Sequence, residues 1–236
     1  MTLSTTAITV RYGALVAVDH VDFSVQTGSI HGVIGPNGAG KSTFIDALSG
    51  RLRPTTGRIE LDGEDMTRRP PVWRRRRGIA RSFQRTSVFP SLTVGQQLEL
   101  VASRTKEPDL DEVVDALGLR THLASPCEVI SYGDQRRVDV ALAMLGRPQV
   151  LLLDEPAAGL SSDDTEALVD HVRQLAQHRR ISVVLVDHDV DAVFRACDEV
   201  TVLDLGAVIA RGTPAEIRAN RRVIDAYLGT RGQVTT

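Results

Sequence analysis

Residues 35–43 have the types and spacing best suited to binding phosphate. They fit the pattern G-x-x-x-x-G-K-[ST], in which backbone N–H groups at the start of a helix surround a phosphate chain. Lys41 would place a compact positive charge at the β- and γ-phosphates, and the Ser42 hydroxyl would bind Mg²⁺. Of the 28 basic residues, only Lys41 and Lys106 are lysines. The residues predicted to contact the phosphates are Gly35, Pro36, Asn37, Gly38, Ala39, Gly40, Lys41, Ser42 and Thr43.

Two adjacent acids follow an apolar run at 150–153, which is typical of a buried parallel strand. Asp154 is predicted to hold Mg²⁺ on the phosphate chain, and Glu155 to orient and deprotonate the attacking water. The alternative is a pair of acids at the start of a helix. Because an open α/β sheet binds its ligands at the strand ends, we favour the catalytic interpretation.

Three further side chains could reach a bound nucleotide. His188 follows another apolar strand at 181–186 and could contact the γ-phosphate, although a lone histidine is often structural. Gln84 also follows a strand, and its amide could bridge the metal ion and the water. Tyr12 could stack on adenine, or it could be a core residue of its strand.

The elements needed to position these residues can be traced along the chain. Alternating apolar residues over 7–34 predict antiparallel strands beside the phosphate-binding strand at 30–34. Helices are predicted from Thr93 to about 101, around 110–117, at about 135–145 and at about 164–178. The strand at 200–205 is predicted to be the last, with a turn at Gly206. This strand–helix alternation indicates an α/β nucleotide-binding fold.

Composition excludes several other classes of protein. A net charge of −2 over 236 residues argues against a nucleic-acid partner. The N-terminus does not resemble a secretion signal, and no apolar run approaches the ~18 residues of a membrane span. Any membrane contact is therefore expected through a partner. The arginines at 74–77 are interpreted as a solvated helix face, with anionic lipid or an acidic partner as the alternative. Cys127 and Cys197 are expected to be reduced packing residues.

The segment 130–137, Ile-Ser-Tyr-Gly-Asp-Gln-Arg-Arg, resembles the signature motif of ABC transporter ATP-binding subunits. In that resemblance Tyr12 is the A-loop, 35–42 the Walker A motif, Gln84 the Q-loop, 150–154 the Walker B motif and His188 the switch histidine. It implies a P-loop NTPase cassette with a RecA-like core, an antiparallel β subdomain and an α-helical subdomain. The core and β subdomain would cover about 1–84 and 148–236 of a single domain, and the helical subdomain about 85–147.

The resemblance also implies cofactors and partners. ATP and Mg²⁺ would lie between two cassettes, with Ser131 and Gly133 of one subunit closing on the nucleotide of the other. Lys41, Gln84, Glu155 and His188 would act in hydrolysis, and Ser42, Gln84 and Asp154 at the metal. The subunit would bind transmembrane permease subunits at the cytoplasmic face of the inner membrane, together with a solute-binding protein.

Within the family, the chain is similar to importers of branched-chain and other hydrophobic amino acids. The similarity lies in the Ser-Tyr-Gly signature, in 156–160 (Pro-Ala-Ala-Gly-Leu) and in the ending at 212–217 and 226–229. A lipopolysaccharide-type lipid exporter is an alternative, as is a soluble ABC ATPase without a transport role. A P-loop kinase or GTPase is disfavoured by the signature and His188.

Overall fold

The computed structural model describes residues 2–83 and 86–229. Its strands are β1 (Thr2–Tyr12), β2 (Leu15–Gln26), β3 (Ile30–Ile34), β4 (Thr56–Leu61), β5 (Glu64–Asp65), β6 (Ile79–Ser82), β7 (Val150–Asp154), β8 (Ser182–Val186), β9 (Glu199–Asp204) and β10 (Ala207–Gly212). Its α-helices are α1 (Lys41–Ser49), α2 (Pro71–Arg76), α3 (Val94–Thr105), α4 (Leu110–Ala116), α5 (Tyr132–Met144), α6 (Ser162–Arg179), α7 (Val190–Ala196), α8 (Pro214–Arg218) and α9 (Arg221–Gly229).

The central sheet has the strand order β10-β9-β3-β8-β7-β6. Its strands run parallel except for β10, which pairs antiparallel with β9. Strands β3, β7 and β8 are buried along their whole length because both faces of the sheet are covered. Their carboxyl ends therefore meet along one edge, where a crevice can form.

A second sheet, β2-β1-β4-β5, is antiparallel throughout. This sheet confirms the antiparallel strands predicted near the N-terminus. Its buried apolar residues share one hydrophobic cluster with α1 and with one face of the central sheet.

The other face of the central sheet packs against α3 to α7. Adjacent residues of one strand fall into different clusters, as the alternation of side chains along a strand requires. On β7, Leu151 and Leu153 face the helices, whereas Val150 and Leu152 face α1 and the antiparallel sheet. The central sheet is thus the middle of three layers.

Helices α3, α4 and α5 fill most of the segment predicted to be helical. Thr93 caps α3 as expected, because its side chain accepts a hydrogen bond from Gln96 N while the Gln96 side chain returns one to the Thr93 backbone. Helix α5 begins at Tyr132, earlier than the predicted start near 135, because Ser131 is its N-cap.

The prediction that the strand near 200–205 is the last one is wrong. A turn at Leu205 and Gly206 leads into β10, and three short helices lie in the segment from 190 to 229. Strand β10 is an edge strand in which no residue is fully buried. Its apolar alternation is correspondingly weak, which explains why the sequence pattern did not reveal it.

The expectation of a solvated helix face at 74–77 is wrong for Arg74. Its side chain is buried at 1% exposure and donates to the carbonyl oxygens of Ala47 and Leu48 at the end of α1. It also donates to Arg69 O and Thr67 O. Burial lowers the pKa of Arg74 to about 10. Arg76 and Arg77 remain exposed.

Both cysteines are buried and unbridged, as predicted. Within the two described ranges, no helix has the length and apolar character that crossing a membrane requires.

Candidate active site

The loop between β3 and α1 is shaped by glycines with positive φ. Gly35, Gly38 and Gly40 have φ values of 155°, 80° and 98°. A Cβ at Gly35 would lie 2.1 Å from Leu203 O, and one at Gly40 would lie 2.2 Å from Ala17 O. Other residues are therefore excluded at both positions by backbone atoms, not only by conformational preference. Because Gly40 is the N-cap of α1, the free N–H groups of the first turn remain available to a phosphate.

Lys41 lies inside this loop. Its Nζ donates to the carbonyl oxygens of Gly35 and Pro36, at 2.7 and 3.0 Å. Burial lowers the pKa of the ammonium, while the nearby carboxylates of Glu155, Asp187 and Asp154 oppose that shift. Lys41 therefore places a positive charge near three acids at the ends of β7 and β8.

A pocket of about 540 Å³ opens over the loop, within the size range of small-molecule sites. Its lining joins the loop, the turn between β1 and β2, and the ends of β7 and β9. Tyr12 lines it and is 52% exposed, so the alternative of a core tyrosine is wrong. The lining residues are Tyr12, Leu15, Val16, Ala17, Asn37, Gly38, Ala39, Gly40, Lys41, Ser42, Thr43, Glu155 and Leu205.

Asp154 and Glu155 occupy the carboxyl end of β7, where the sequence pattern predicted them. Asp154 is buried, whereas Glu155 reaches the pocket. Glu155 has a φ of 47°, which is unusual for a residue with a side chain. Its N–H donates to Val186 O at 2.7 Å, and its carbonyl accepts from Arg136 Nη2 at 2.7 Å. Neighbouring elements thus fix the backbone of this acid.

The buried Asp154 carboxylate has a positive partner on the adjacent strand. Arg81 Nη2 donates to Asp154 Oδ2 at 2.7 Å. Through Nη1 the same guanidinium donates to Asp46 Oδ1 and Ser49 Oγ on α1, at 2.5 and 2.9 Å. Arg81 therefore ties the end of β7 to the phosphate-loop helix. The ion pair offsets the cost of burying the Asp154 charge.

His188 lies beside Glu155 at the mouth of the crevice. Its side chain is 62% exposed, and Nδ1 is 4.0 Å from Glu155 Oε2 and 3.5 Å from Asp187 Oδ1. Asp187 is buried and accepts the backbone N–H groups of His188 and Asp189, which fixes the turn after β8. Gln84 lies outside the described residues.

Ser131 and Gly133 are not among the residues that line this pocket. Ser131 caps α5, and its hydroxyl donates to Asp134 Oδ2 at 2.6 Å. A Cβ on Gly133 would lie 3.4 Å from Asp164 Cγ on α6. Within one chain, the predicted signature residues therefore stand apart from the phosphate loop.

Comparison with known proteins places this geometry in a family. Residues 18–158 match the family model described as ABC transporter. The high-affinity branched-chain amino acid transport ATP-binding protein BraF of Pseudomonas aeruginosa is 34% identical, over 96% of this chain and 97% of its own length. The chain belongs to the ABC transporter family. Like other ATP-binding subunits of that family, it is an ATPase.

Other comparisons agree with this ABC cassette. The corresponding LivG protein of Escherichia coli is also 34% identical, over 96% of this chain and 97% of its own length. A crystal structure of an ABC transporter cassette in its ADP conformation matches with a TM-score of 0.88 and 26% identity, covering 97% of this chain and 99% of the other. The predicted fold, a P-loop ABC cassette, is confirmed. Residues 207–232 match a second model, described as branched-chain amino acid ATP-binding cassette transporter.

Two arginines of the cassette were missed by the sequence analysis. Arg81 lies in a four-residue strand, and Arg136 lies three residues after the signature glycine, Gly133. Sequence position gave no sign that either guanidinium points inward.

The donor atoms near the phosphate loop suit a hard cation such as Mg²⁺. Ser42 offers an exposed hydroxyl and Asp154 a carboxylate, both oxygen ligands. In the part of the chain that the structure describes, no group of three or more His, Cys, Asp or Glu side chains is placed to hold a metal ion.

Proposed function

We propose that this chain is the ATP-hydrolysing subunit of an ABC importer of branched-chain or other hydrophobic amino acids. The observation that carries the proposal is the match of residues 207–232 to the branched-chain amino acid cassette model. The 34% identity to BraF and LivG over nearly the whole chain supports the same substrate class.

In this proposal the pocket binds ATP with its base at Tyr12 and its phosphates at the loop from Gly35 to Thr43. The free N–H groups of α1 and the Lys41 ammonium would neutralise the β- and γ-phosphates. Mg²⁺, held by Ser42 and Asp154 with the aid of Gln84, would neutralise charge on the phosphates. Tyr12 lines the pocket and is 52% exposed, which supports stacking of its aromatic ring on the base.

Glu155 is proposed to accept the proton of the attacking water. Its carboxylate lines the pocket, and its backbone is fixed by Val186 and Arg136. His188, 4.0 Å from that carboxylate, would orient the water and the γ-phosphate from the other side. Lys41 and Gln84 complete the proposed catalytic set.

The partners follow from the same proposal. Ser131 and Gly133 of a second cassette would close on the γ-phosphate, since these residues do not reach the pocket of their own chain. Permease subunits would hold the pair at the cytoplasmic face of the membrane, and a solute-binding protein would deliver the amino acid. We also propose the division into a core with a β subdomain, over about 1–84 and 148–236, and a helical subdomain over about 85–147.

Uptake of labelled substrate in the native host tests the proposal. A strain lacking this chain, complemented with wild type or with Glu155→Gln, is assayed with leucine, isoleucine and valine, and with sulfate as the control solute. Sulfate is chosen because the sulfate/thiosulfate import ATP-binding protein CysA of Mycobacterium bovis is 36% identical, over 89% of this chain and 60% of its own length. We expect amino-acid uptake to be restored by wild type only. Normal amino-acid uptake in the deleted strain, or a defect confined to sulfate, would contradict the assigned substrate class.

A further inference from the structure

Arg136, in the first turns of α5, has a completely buried side chain. Its guanidinium donates hydrogen bonds to four backbone carbonyl oxygens. Nε donates to Pro156 O at 2.8 Å, and Nη2 donates to Glu155 O at 2.7 Å and to Asp154 O at 3.2 Å. Nη1 donates to Phe83 O at 2.5 Å. One side chain thus contacts three consecutive residues at the end of β7 and the residue that follows β6.

Asp139, one turn later on α5, extends this arrangement. Its Oδ2 lies 3.7 Å from Arg136 Nη1 and accepts from Ser82 Oγ. Its Oδ1 accepts from the backbone N–H of Ser87 at 2.8 Å. Burial raises the pKa of the Asp139 carboxyl, and the bonds from Ser82 and Ser87 and the charge of Arg136 oppose that shift. Asp139 therefore accepts hydrogen bonds from residues on both sides of positions 84 and 85.

The backbone that Arg136 holds includes a residue in a strained conformation. Glu155 has a φ of 47°, a conformation that persists in a residue with a side chain only where the surroundings impose it. The bond from Arg136 to its carbonyl supplies such a constraint, together with the bond from its own N–H to Val186 O. If the bond from Arg136 is lost, one of these constraints on the Glu155 backbone is removed, and we expect the direction of the side chain to vary more.

We propose that Arg136 and Asp139 form a positioning pair that fixes the Glu155 backbone relative to Ser82, Phe83 and Ser87, which flank positions 84 and 85. The pair links them to α5, whose first residues carry the signature motif. Closure of a partner subunit on that motif would then be transmitted to the Glu155 backbone through Arg136. The inference rests on the proposed role of Glu155 as the base.

Arginine is required for this by its donor geometry. Its planar guanidinium has five N–H donors, and four of the bonds found here go to carbonyl oxygens in different directions. Lysine keeps the positive charge but has only three donors on one atom, so it cannot satisfy all of these carbonyls. An Arg136→Lys variant therefore separates geometry from charge.

The chain offers a matched control in Arg74. Its guanidinium is equally buried and also donates to four backbone carbonyls, those of Ala47, Leu48, Arg69 and Thr67. None of these four residues lines the nucleotide pocket. Arg74→Lys thus reproduces the loss of buried hydrogen bonds at a distance from Glu155.

The test compares the two variants in kcat and KM for ATP hydrolysis, in melting temperature and in binding of a fluorescent ATP analogue. We expect Arg136→Lys to lower kcat by about tenfold or more, with KM within about threefold of wild type. We expect the two variants to lower the melting temperature by similar amounts. The kcat of Arg74→Lys, measured well below its melting temperature, should stay within about twofold of the wild-type value. Equal kcat losses in both variants, or a folded Arg136→Lys with wild-type kcat, would overturn the proposal.

Two further variants keep the test decisive. If Arg136→Lys does not fold, Asp139→Asn takes its place, because that substitution removes the carboxylate charge that faces Arg136. A kcat loss equal to that of Arg74→Lys, or a wild-type kcat, would again overturn the proposal. Glu155→Gln is assayed in parallel to test the proposed function separately. Full turnover by Glu155→Gln would refute its role as the base, whereas loss of turnover in Glu155→Gln combined with normal turnover in Arg136→Lys would refute only the positioning pair.

Discussion

Three buried or partly buried arginines of this cassette make different kinds of contact. Arg74 binds carbonyl groups at the end of a helix, Arg81 pairs with a buried acid and Arg136 holds the backbone of another acid. The sequence shows only that the chain prefers arginine to lysine. The direction of each side chain depends on tertiary packing, which no local pattern encodes.

Tyr12 gives a prediction at this scale. Replacing it with alanine should weaken ATP binding about fivefold to tenfold, because stacking on an aromatic ring contributes about 1 kcal/mol or more. The melting temperature should hardly change, since Tyr12 is 52% exposed. Titration with ATP measures the effect, with Tyr12→Phe as the matched control that keeps the ring. Identical affinities in the alanine and phenylalanine variants would show that the base does not stack there.

At the scale of elements, buried contacts between neighbouring strands hold the phosphate loop in place. His31 on β3 is 1% exposed, with Nε2 2.8 Å from Thr201 Oγ1 on β9 and Nδ1 3.4 Å from Glu199 Oε2. Burial lowers the pKa of His31 to about 4. Strand β3 leads directly into the phosphate loop, so the contacts of this neutral imidazole with β9 help to fix the strand that positions the loop.

The lowered pKa of His31 predicts a pH dependence of stability. Because the unfolded state binds a proton at His31 near pH 6.5 and the folded state only near 4, stability should fall as the pH drops through that window. The loss should total roughly 3 kcal/mol, from about 1.4 kcal/mol for each unit of pKa shift. Urea unfolding at pH 7.0, 5.5 and 4.5 measures it. In His31→Gln, a variant without this titration, the dependence should flatten. An equal slope in both proteins would assign the effect to other groups.

Sequence patterns predicted the central elements of the fold well, and the edges less well. Continuous apolar runs identified β3, β7 and β8 because these strands are buried on both faces. Strand β10, half-buried at the edge, lacks such a pattern. Similarly, the glycine-rich loop could be predicted because backbone geometry dictates its residue types, whereas the inward-pointing Arg81 and Arg136 could not.

At the scale of the whole molecule, one chain supplies part of the proposed nucleotide site. The pocket brings together the phosphate loop, Tyr12 and Glu155, but not Ser131 or Gly133. We therefore propose that a second cassette completes each site. The helix that begins at the signature motif is also the one that holds Glu155 in place through Arg136. Assembly and hydrolysis are thus expected to depend on each other.

The most direct test of a site shared between two cassettes is the molecular mass of Glu155→Gln, measured by size-exclusion chromatography with light scattering, with and without MgATP. With the proposed base removed and the phosphate contacts kept, we predict a monomer without nucleotide and a stable dimer with MgATP. Ser131→Arg in the same background should abolish the dimer, since it would fill the surface that meets the second nucleotide. A Glu155→Gln protein that binds MgATP stoichiometrically but remains monomeric would contradict the shared site. One that still hydrolyses ATP would contradict the role of Glu155 as the base.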